Sequence, residues 1–376
     1  MNVLIAGDFC PQHRVARLCD NNGFNVIFDE TKEIIRAADY SIVNFECPVV
    51  YGDEKPISKQ GPSLKCSENG IRAIKWAGFK CVTLANNHFL DYGEKGALNT
   101  LAACRKHDID VVGGGENLKQ SESILYKEIN KEVIAIINCC EHEFSIATDS
   151  SAGSNPLNPI RQYYKIEEAK QKADYVLVIV HGGHEMYQLP SPRMQETYRF
   201  FIDAGADAVV NHHQHCFSGY EKYKGKPIFY GLGNFCFDKP TKKKNCWYEG
   251  YLVHLIFLKN MEVKFEVVPY TQCVENPAVN LMKGAIRESF FEKIKELNTI
   301  ITDYHRLTAK FVEYAESNNL SFLALFSSLN TKFGRGMVSR NIIPSLVSKK
   351  NLILMFDRIS CESHRDLLVQ VLSMFR

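Results

Sequence analysis

The chain lacks most of what would mark it for a special solvent or partner. Its 376 residues carry 45 Lys+Arg against 43 Asp+Glu, a net charge of +2 with His neutral. So small a charge gives no global reason to bind nucleic acid, and no RNA- or DNA-binding signature stands out. No apolar run approaches a membrane span; Val176–Val180 has the length of a core strand. There is no Cys-x-x-Cys. The 13 cysteines are scattered and odd in number, and the neighbours Cys139 and Cys140 are poorly placed to bond each other, so the pattern is that of thiols in a reducing compartment. The first strand candidate, Val3–Ala6, begins almost at Met1 and leaves no room for a secretory leader. A cytoplasmic protein with no membrane span is therefore expected. Internal repeats and low-complexity tracts are absent as well.

What is there is ordinary in amount. A hydrophobic fraction of 45% and a charged fraction of 23% suit a globular protein that buries a large core without staples. The length suggests about two domains. As far as about residue 210, short apolar runs alternate with helical patterns. Strands are expected at Val3–Ala6, Tyr40–Asn44, Cys81–Leu84, Asp110–Val112, Val133–Asn138, Tyr175–Val180 and Ala208–Asn211. Helices are expected at Glu68–Ala77, Glu94–His107, Ile160–Ala173 and Arg193–Ala204. This alternation predicts an α/β architecture. Between 217 and 270 the pattern turns β-rich, with a hairpin expected at Lys224-Gly225; these late strands form either a second sheet or the edge of the first. Beyond about 280, Ile286, Phe290, Ile294, Leu297 and Ile301 recur at helical spacing. Further helices are expected at Leu307–Ser317, Phe322–Leu329 and Asp366–Met374, and Thr241–Asn245 reads as a solvated lysine-rich loop. From residue 281 onward 14 Lys/Arg face 9 Asp/Glu, so the tail is either a helical cap or a docking surface for an acidic partner or an anionic membrane.

Chemistry concentrates at the ends of the expected strands. Leu84–Gly93 places Asn86, Asn87, His88 and Asp91 where a strand gives way to a helix, the place where open α/β sheets bind ligands. Five of the twelve histidines fall between 181 and 215. His181, His184 and Glu185 follow one strand, and His212, His213 and His215 follow another. Asp8 and Glu46 follow two more. Five strand ends thus deliver carboxylate, amide or imidazole, a mixture that suits divalent cations.

Taken in order, these elements resemble the CapA family of capsule and poly-γ-glutamate synthesis proteins, from about residue 2 to 270. Gly7-Asp8 resembles the opening Gly-Asp, and Asp39–Pro48 the Asp…Val-Asn-Leu-Glu-x-Pro element. Gly61-Pro62 and Ala77-Gly78-Phe79 lead into Leu84–Gly96, the most specific stretch. Thr100-Leu101, Gly113-Gly114 and Asn117 continue it. His181–Glu185 resembles His-x-Gly-x-Glu, followed by Pro190 and Gln195. Asn211–His215 resembles Gly-His-His-Pro-His, and Gly225–Asp238 matches the family's closing element. Asn211 stands where Gly is usual and Gln214 where Pro is usual. Cys10 stands where a metallophosphoesterase His is expected, and Glu46 where an Asp is.

The resemblance implies a four-layer α/β/β/α metallophosphoesterase-like sandwich over residues 1–275, with a helical C-terminal appendage over 276–376. It implies a role in the synthesis or release of an extracellular polymer, by metal-assisted hydrolysis or transfer at a phosphate ester or amide; the alternative is a non-enzymatic accessory protein that binds an acidic polymer or a partner in polymer synthesis. One or two divalent ions, Mn, Fe or Zn, are expected on Asp8, Glu46, Asn87, His181, His213 and His215, with His212 competing for the place of His213 because adjacent strand residues point opposite ways. His88 is expected to stabilise developing charge and Glu185 to move a proton. Asn86, Asn234, His184 and Arg161 are expected at the substrate, with Lys65 as a further anion contact.

Overall fold

The computed structural model describes residues 1–59, 61–239, 245–259, 261–325, 331–360, 364 and 372. The lysine-rich stretch 241–244, most of Asp366–Met374 and part of Phe322–Leu329 lie outside these. The chain divides into two compact units, Met1–Leu307 and Thr308–Arg376.

The first unit contains two facing sheets. One has eight strands. Its main path runs Val279–Leu281, Lys264–Gln272, Glu249–Ile256, Asn2–Cys10, Tyr40–Phe45, Cys81–Thr83 and Asp110–Val112, and Asn234–Phe237 adds in parallel to the end of Asn2–Cys10. The other has six strands: Tyr220–Tyr223, Lys226–Phe229, Ala208–His212, Tyr175–His181, Glu132–Cys140 and Leu125–Ile129. The late β-rich region is therefore shared. Its hairpin extends the second sheet, and the strands after residue 248 form the antiparallel edge of the first.

Alternation along each central strand sets the layers, because successive side chains leave a strand on opposite faces. Val3 and Ile5 point between the sheets, where they meet Ile134, Ile136, Leu177 and Ile179. Leu4 and Ala6 point outward against Val15, Ile27, Ile71 and Ile74 from the helices that flank the first sheet. On the second sheet Ala135, Ile137, Val176 and Val178 face outward against Ile166, Tyr198 and Phe201, which come from helices Pro159–Lys170 and Pro192–Ala204. Burial on both faces explains the near-continuous apolar runs of these strands. The architecture is the four-layer α/β/β/α sandwich.

Helix Gly284–Ile301 belongs to this unit, although the sequence assigned it to a region beginning at 276. Phe290 and Ile294 are buried in the layer between the sheets, and Phe291 and Leu297 pack at its border. The second unit carries most of helix Tyr304–Leu325, with Lys332–Ser339 and Lys349–Ser360; the Thr331 hydroxyl caps the middle helix by accepting the Gly334 N–H at 3.0 Å. Among the described residues no helix is long and apolar enough to cross a membrane.

Candidate metal centre

Parallel strands bring their carboxyl ends to one edge of each sheet, and here the two edges face each other. In the first sheet Asp8 is in register with Asn44 on one side and Asn234 on the other. In the second, His181 is in register with Cys140 and His212. A register shift at Gly7 marks a bulge. Gly7 has no alternative: a Cβ there would lie 1.8 Å from the Gly233 carbonyl oxygen. That close approach places Asn234 beside Asp8.

The side chains converge on a buried group. His181 Nε2 lies 3.5 Å from Glu46 Oε1, 3.1 Å from His213 Nδ1 and 3.0 Å from Asn87 Oδ1. His215 reaches Asp8 Oδ2 with Nδ1 at 3.6 Å and Glu46 Oε1 with Nε2 at 3.7 Å. Two overlapping sets, Glu46/His181/His213 and Asp8/Glu46/His215, each converge tightly enough to hold one metal ion, and Glu46 is common to both. His213 and His215 adopt positive φ angles of 93° and 54°. Such conformations cost about 1–3 kcal/mol each and persist where the surroundings impose them.

The fit to a cation rests on the orphaned oxygens. Asp8 Oδ2 and both Glu46 oxygens are buried and accept no hydrogen bond. An unpaired buried polar atom is costly, and a cation among these imidazoles would satisfy all three. Electrostatics agree. Burial, then the nearby Asp8, pushes the Glu46 carboxyl well above its ordinary range. Burial and the neighbouring histidines keep His181 well below its own, and burial, then His215, lowers His213, so both present neutral nitrogens. Burial by itself would raise Asp8, but His215, His212 and Asn44 together outweigh it and hold the carboxyl low; Asp8 in turn raises His215 against the effect of burial.

The family model of the bacterial capsule synthesis protein PGA_cap matches residues 2–239. The chain belongs to this family. This PGA_cap member is 35% identical over 277 residues to the capsule biosynthesis protein CapA of Bacillus anthracis, covering 72% of this chain and 67% of that one. It is 32% identical over 272 residues to the PGA biosynthesis protein CapA of Bacillus subtilis (strain 168), covering 72% and 71%. Among solved structures, a hypothetical protein from Thermus thermophilus aligns at 17% identity with a TM-score of 0.46, over 72% of this chain and 99% of that one. The calcineurin-like phosphoesterase YfkN from Bacillus subtilis aligns at 12% identity with a TM-score of 0.38, over 83% and 98%.

Other residues of the PGA_cap chain singled out by sequence fall in different places. His212 turns away from the His181–His213 pair, its Nε2 3.0 Å from the Ala6 carbonyl oxygen. His88 sits beside the group with Nδ1 2.7 Å from Asp91 Oδ2. Glu185 lies exposed in a turn, close enough to raise Glu46 and His215 by its charge. Asn86 spends its amide on structure: Nδ2 donates to the Phe45 carbonyl at 2.9 Å and Oδ1 accepts the His88 N–H at 3.1 Å. Asn234 is likewise engaged, with Oδ1 2.9 Å from His215 Nδ1 and Nδ2 donating to the carbonyls of His215 and Trp247. His184 is half-buried against Tyr187. Arg161 is drawn off by an ion pair with Glu122 on the outer helix layer, and Lys65 lies over the Tyr92 ring. Cys10 is a buried core thiol that accepts a hydrogen bond from Gln12. Asn211 uses its larger side chain to tie strand ends together, donating to the carbonyls of Gly182 and Tyr230 and accepting from the Tyr198 hydroxyl.

Two neighbours were not among the residues the sequence pointed to. Lys59, with its side chain buried, reaches Asp91 Oδ1 at 2.6 Å and His88 Nδ1 at 3.2 Å. Glu143 stands at the mouth beside Asn87 and His213. Lys59 comes from a loop outside the strand-end pattern, whereas Glu143 lies just past the end of strand Glu132–Cys140.

Proposed function

We propose that this PGA_cap chain performs metal-assisted hydrolysis or transfer at a phosphate ester or amide, during synthesis or release of capsular polysaccharide or poly-γ-glutamate. The observation that carries this reading is the trio of unbonded, buried carboxylate oxygens of Asp8 and Glu46, ringed by His181, His213 and His215. Imidazole and carboxylate donors suit Mn, Fe or Zn, with Asn87 as a further ligand through its amide oxygen. When bound, such an ion lowers the pKa of a water and stabilises developing negative charge.

The chain's own groups do the rest. Asp91 accepts the Nδ1–H of His88 and fixes the ring, and with both ring nitrogens protonated Nε2 donates to an oxygen of the substrate. Lys59 neutralises Asp91 from behind. Glu185, exposed at the rim, carries the proton between site and solvent. Acidic polymer and the proteins of polymer synthesis are the partners this reading names, and the cytoplasm is its compartment. Unpaired thiols throughout the fold, all but Cys246 of the described ones buried, accord with a reducing environment.

Two variants test the reading. His88→Ala should keep its metal and lose about 10²-fold or more in turnover of a phosphate-ester or γ-glutamyl amide substrate, the scale of removing one charge-stabilising donor. His181→Ala should lose metal and turnover together. Metal content is measured by elemental analysis of the purified protein. A wild-type chain that folds, takes up no divalent ion and turns over neither substrate class would support the accessory-protein reading instead.

A further inference from the structure

Glu143 follows strand Glu132–Cys140 in a segment that clasps the Asn87 turn. Ser145 fastens this segment: its hydroxyl donates to the Asn87 carbonyl at 2.7 Å and accepts the Leu90 N–H at 3.1 Å. Held there, Glu143 reaches two of the metal-facing side chains from their outer sides. Its Oε2 accepts from Asn87 Nδ2 at 3.2 Å, and its Oε1 lies 3.6 Å from His213 Nε2. The inner ends of the same two side chains meet at one point. Asn87 Oδ1 and His213 Nδ1 lie 3.0 Å and 3.1 Å from His181 Nε2.

A carboxylate only accepts hydrogen bonds. Beside Asn87 it therefore selects the amide orientation with nitrogen outward and oxygen inward. Across 3.6 Å to His213 Nε2, longer than a hydrogen bond, its negative charge favours the tautomer with the proton on Nε2, which leaves the lone pair of Nδ1 facing the group. Neither side chain has this direction built in, since an amide can turn over and a neutral imidazole can carry its proton on either nitrogen.

We propose that Glu143 is a positioning residue that points the Asn87 oxygen and the His213 Nδ1 lone pair at the Glu46/His181/His213 metal group. This rests on the reading of that group as a metal centre. Carboxylates behind ligating histidines elsewhere set ring orientation and tautomer, and their loss costs about 10–100-fold in metal affinity. One carboxylate here serves two ligands.

The test is titration of the full-length, chelator-stripped chain with Mn²⁺ by calorimetry, and with Co²⁺ by visible absorption. Glu143→Ala should weaken Mn²⁺ binding about 10–100-fold and alter the Co²⁺ spectrum, with metal-free melting unchanged. Glu143→Gln should fall between Ala and wild type, because one amide oxygen can serve Asn87 or His213 but not both. A merely structural role would not give this graded rescue. Wild type that takes up no metal overturns the metal-centre reading and this role with it. Wild type that binds Mn²⁺ while the variants match its affinity and Co²⁺ spectrum overturns the role of Glu143 alone. Should the Ala variant fail to fold, the Gln variant decides by the same comparison.

Discussion

At the scale of single residues, Glu46 carries the site's sharpest electrostatic conflict. Its carboxyl is fully buried, within reach of two histidines and close to Asp8, and neither oxygen accepts a hydrogen bond. Burial, then Asp8, raises its folded pKa above the ordinary 4.5. The stability Glu46 contributes is thus fully present below pH 4.5 and is lost as pH rises through its folded value. Glu46→Gln removes that loss along with the ligand. The metal-free variant should melt above metal-free wild type at pH 8, with the difference shrinking towards pH 5, and added Mn²⁺ should raise the melting temperature of wild type only. Differential scanning calorimetry with and without chelator checks both parts; a variant that melts lower than wild type at pH 8 would count against the buried, unsatisfied carboxyl.

Among the elements, helix Gly284–Ile301 shows how a segment that reads as an appendage becomes part of a core. The Phe290 ring is buried, 4.6 Å from the Phe217 ring and 6.1 Å from the Tyr251 ring, both of which belong to the layer between the sheets. Phe217 lies two residues after His215, so the helix supports the segment that carries a proposed ligand. Phe290→Ala should cost about 3–5 kcal/mol of unfolding free energy, the range for emptying a buried aromatic site, as read by urea denaturation. Two truncations separate the contribution of this helix from that of the later ones. A chain ending at 275 uncovers Phe217 and Tyr251 and should aggregate in light scattering. A chain ending at 307 keeps the helix and should remain monodisperse with its Mn²⁺ uptake intact. Equal behaviour of the two would show that the helix does not close the core.

For the molecule as a whole, buried histidines set the response to acid. Burial keeps His181, His212 and His213 below their ordinary value of 6.5. Below about pH 6.5 the unfolded chain takes up protons at these imidazoles and the folded chain does not. Glu46 and His215, both raised, work in the opposite direction, but they are two groups against three imidazoles. The unfolded state therefore binds more protons, and stability must fall as pH drops from 6.5 towards 5. The metal-free protein should show a melting temperature that declines over this window. Metal affinity should decline in the same direction, because protons compete for the same nitrogens and oxygens.

Local pattern was enough to find the strands and their ends, while the four layers were implied by the resemblance to the CapA family. Period-two alternation sends Val3 and Ile5 to one face and Leu4 and Ala6 to the other, and a strand that gives way to a turn leaves its last polar side chain at the sheet edge. Because the central strands are parallel, Asp8, Glu46, Asn87, His181, His213 and His215 had to arrive at neighbouring edges, so their convergence is legible in the amino-acid sequence. Contacts between distant segments decided the rest. Whether His212 or His213 faces His181 depends on a backbone turn with φ of 93° at His213. Asn86 and Asn234 were expected at the substrate, yet the Phe45 and Trp247 carbonyls claim their amides. Lys59 left no trace in the sequence, because a loop side chain takes its position from the partner it meets, here Asp91; Glu143 stands just past the end of strand Glu132–Cys140, but only its contact with Asn87 turns it to the group. A strand-end side chain is placed by its own backbone and so can be read locally, whereas a loop side chain is placed only when the tertiary structure has brought its partner within reach.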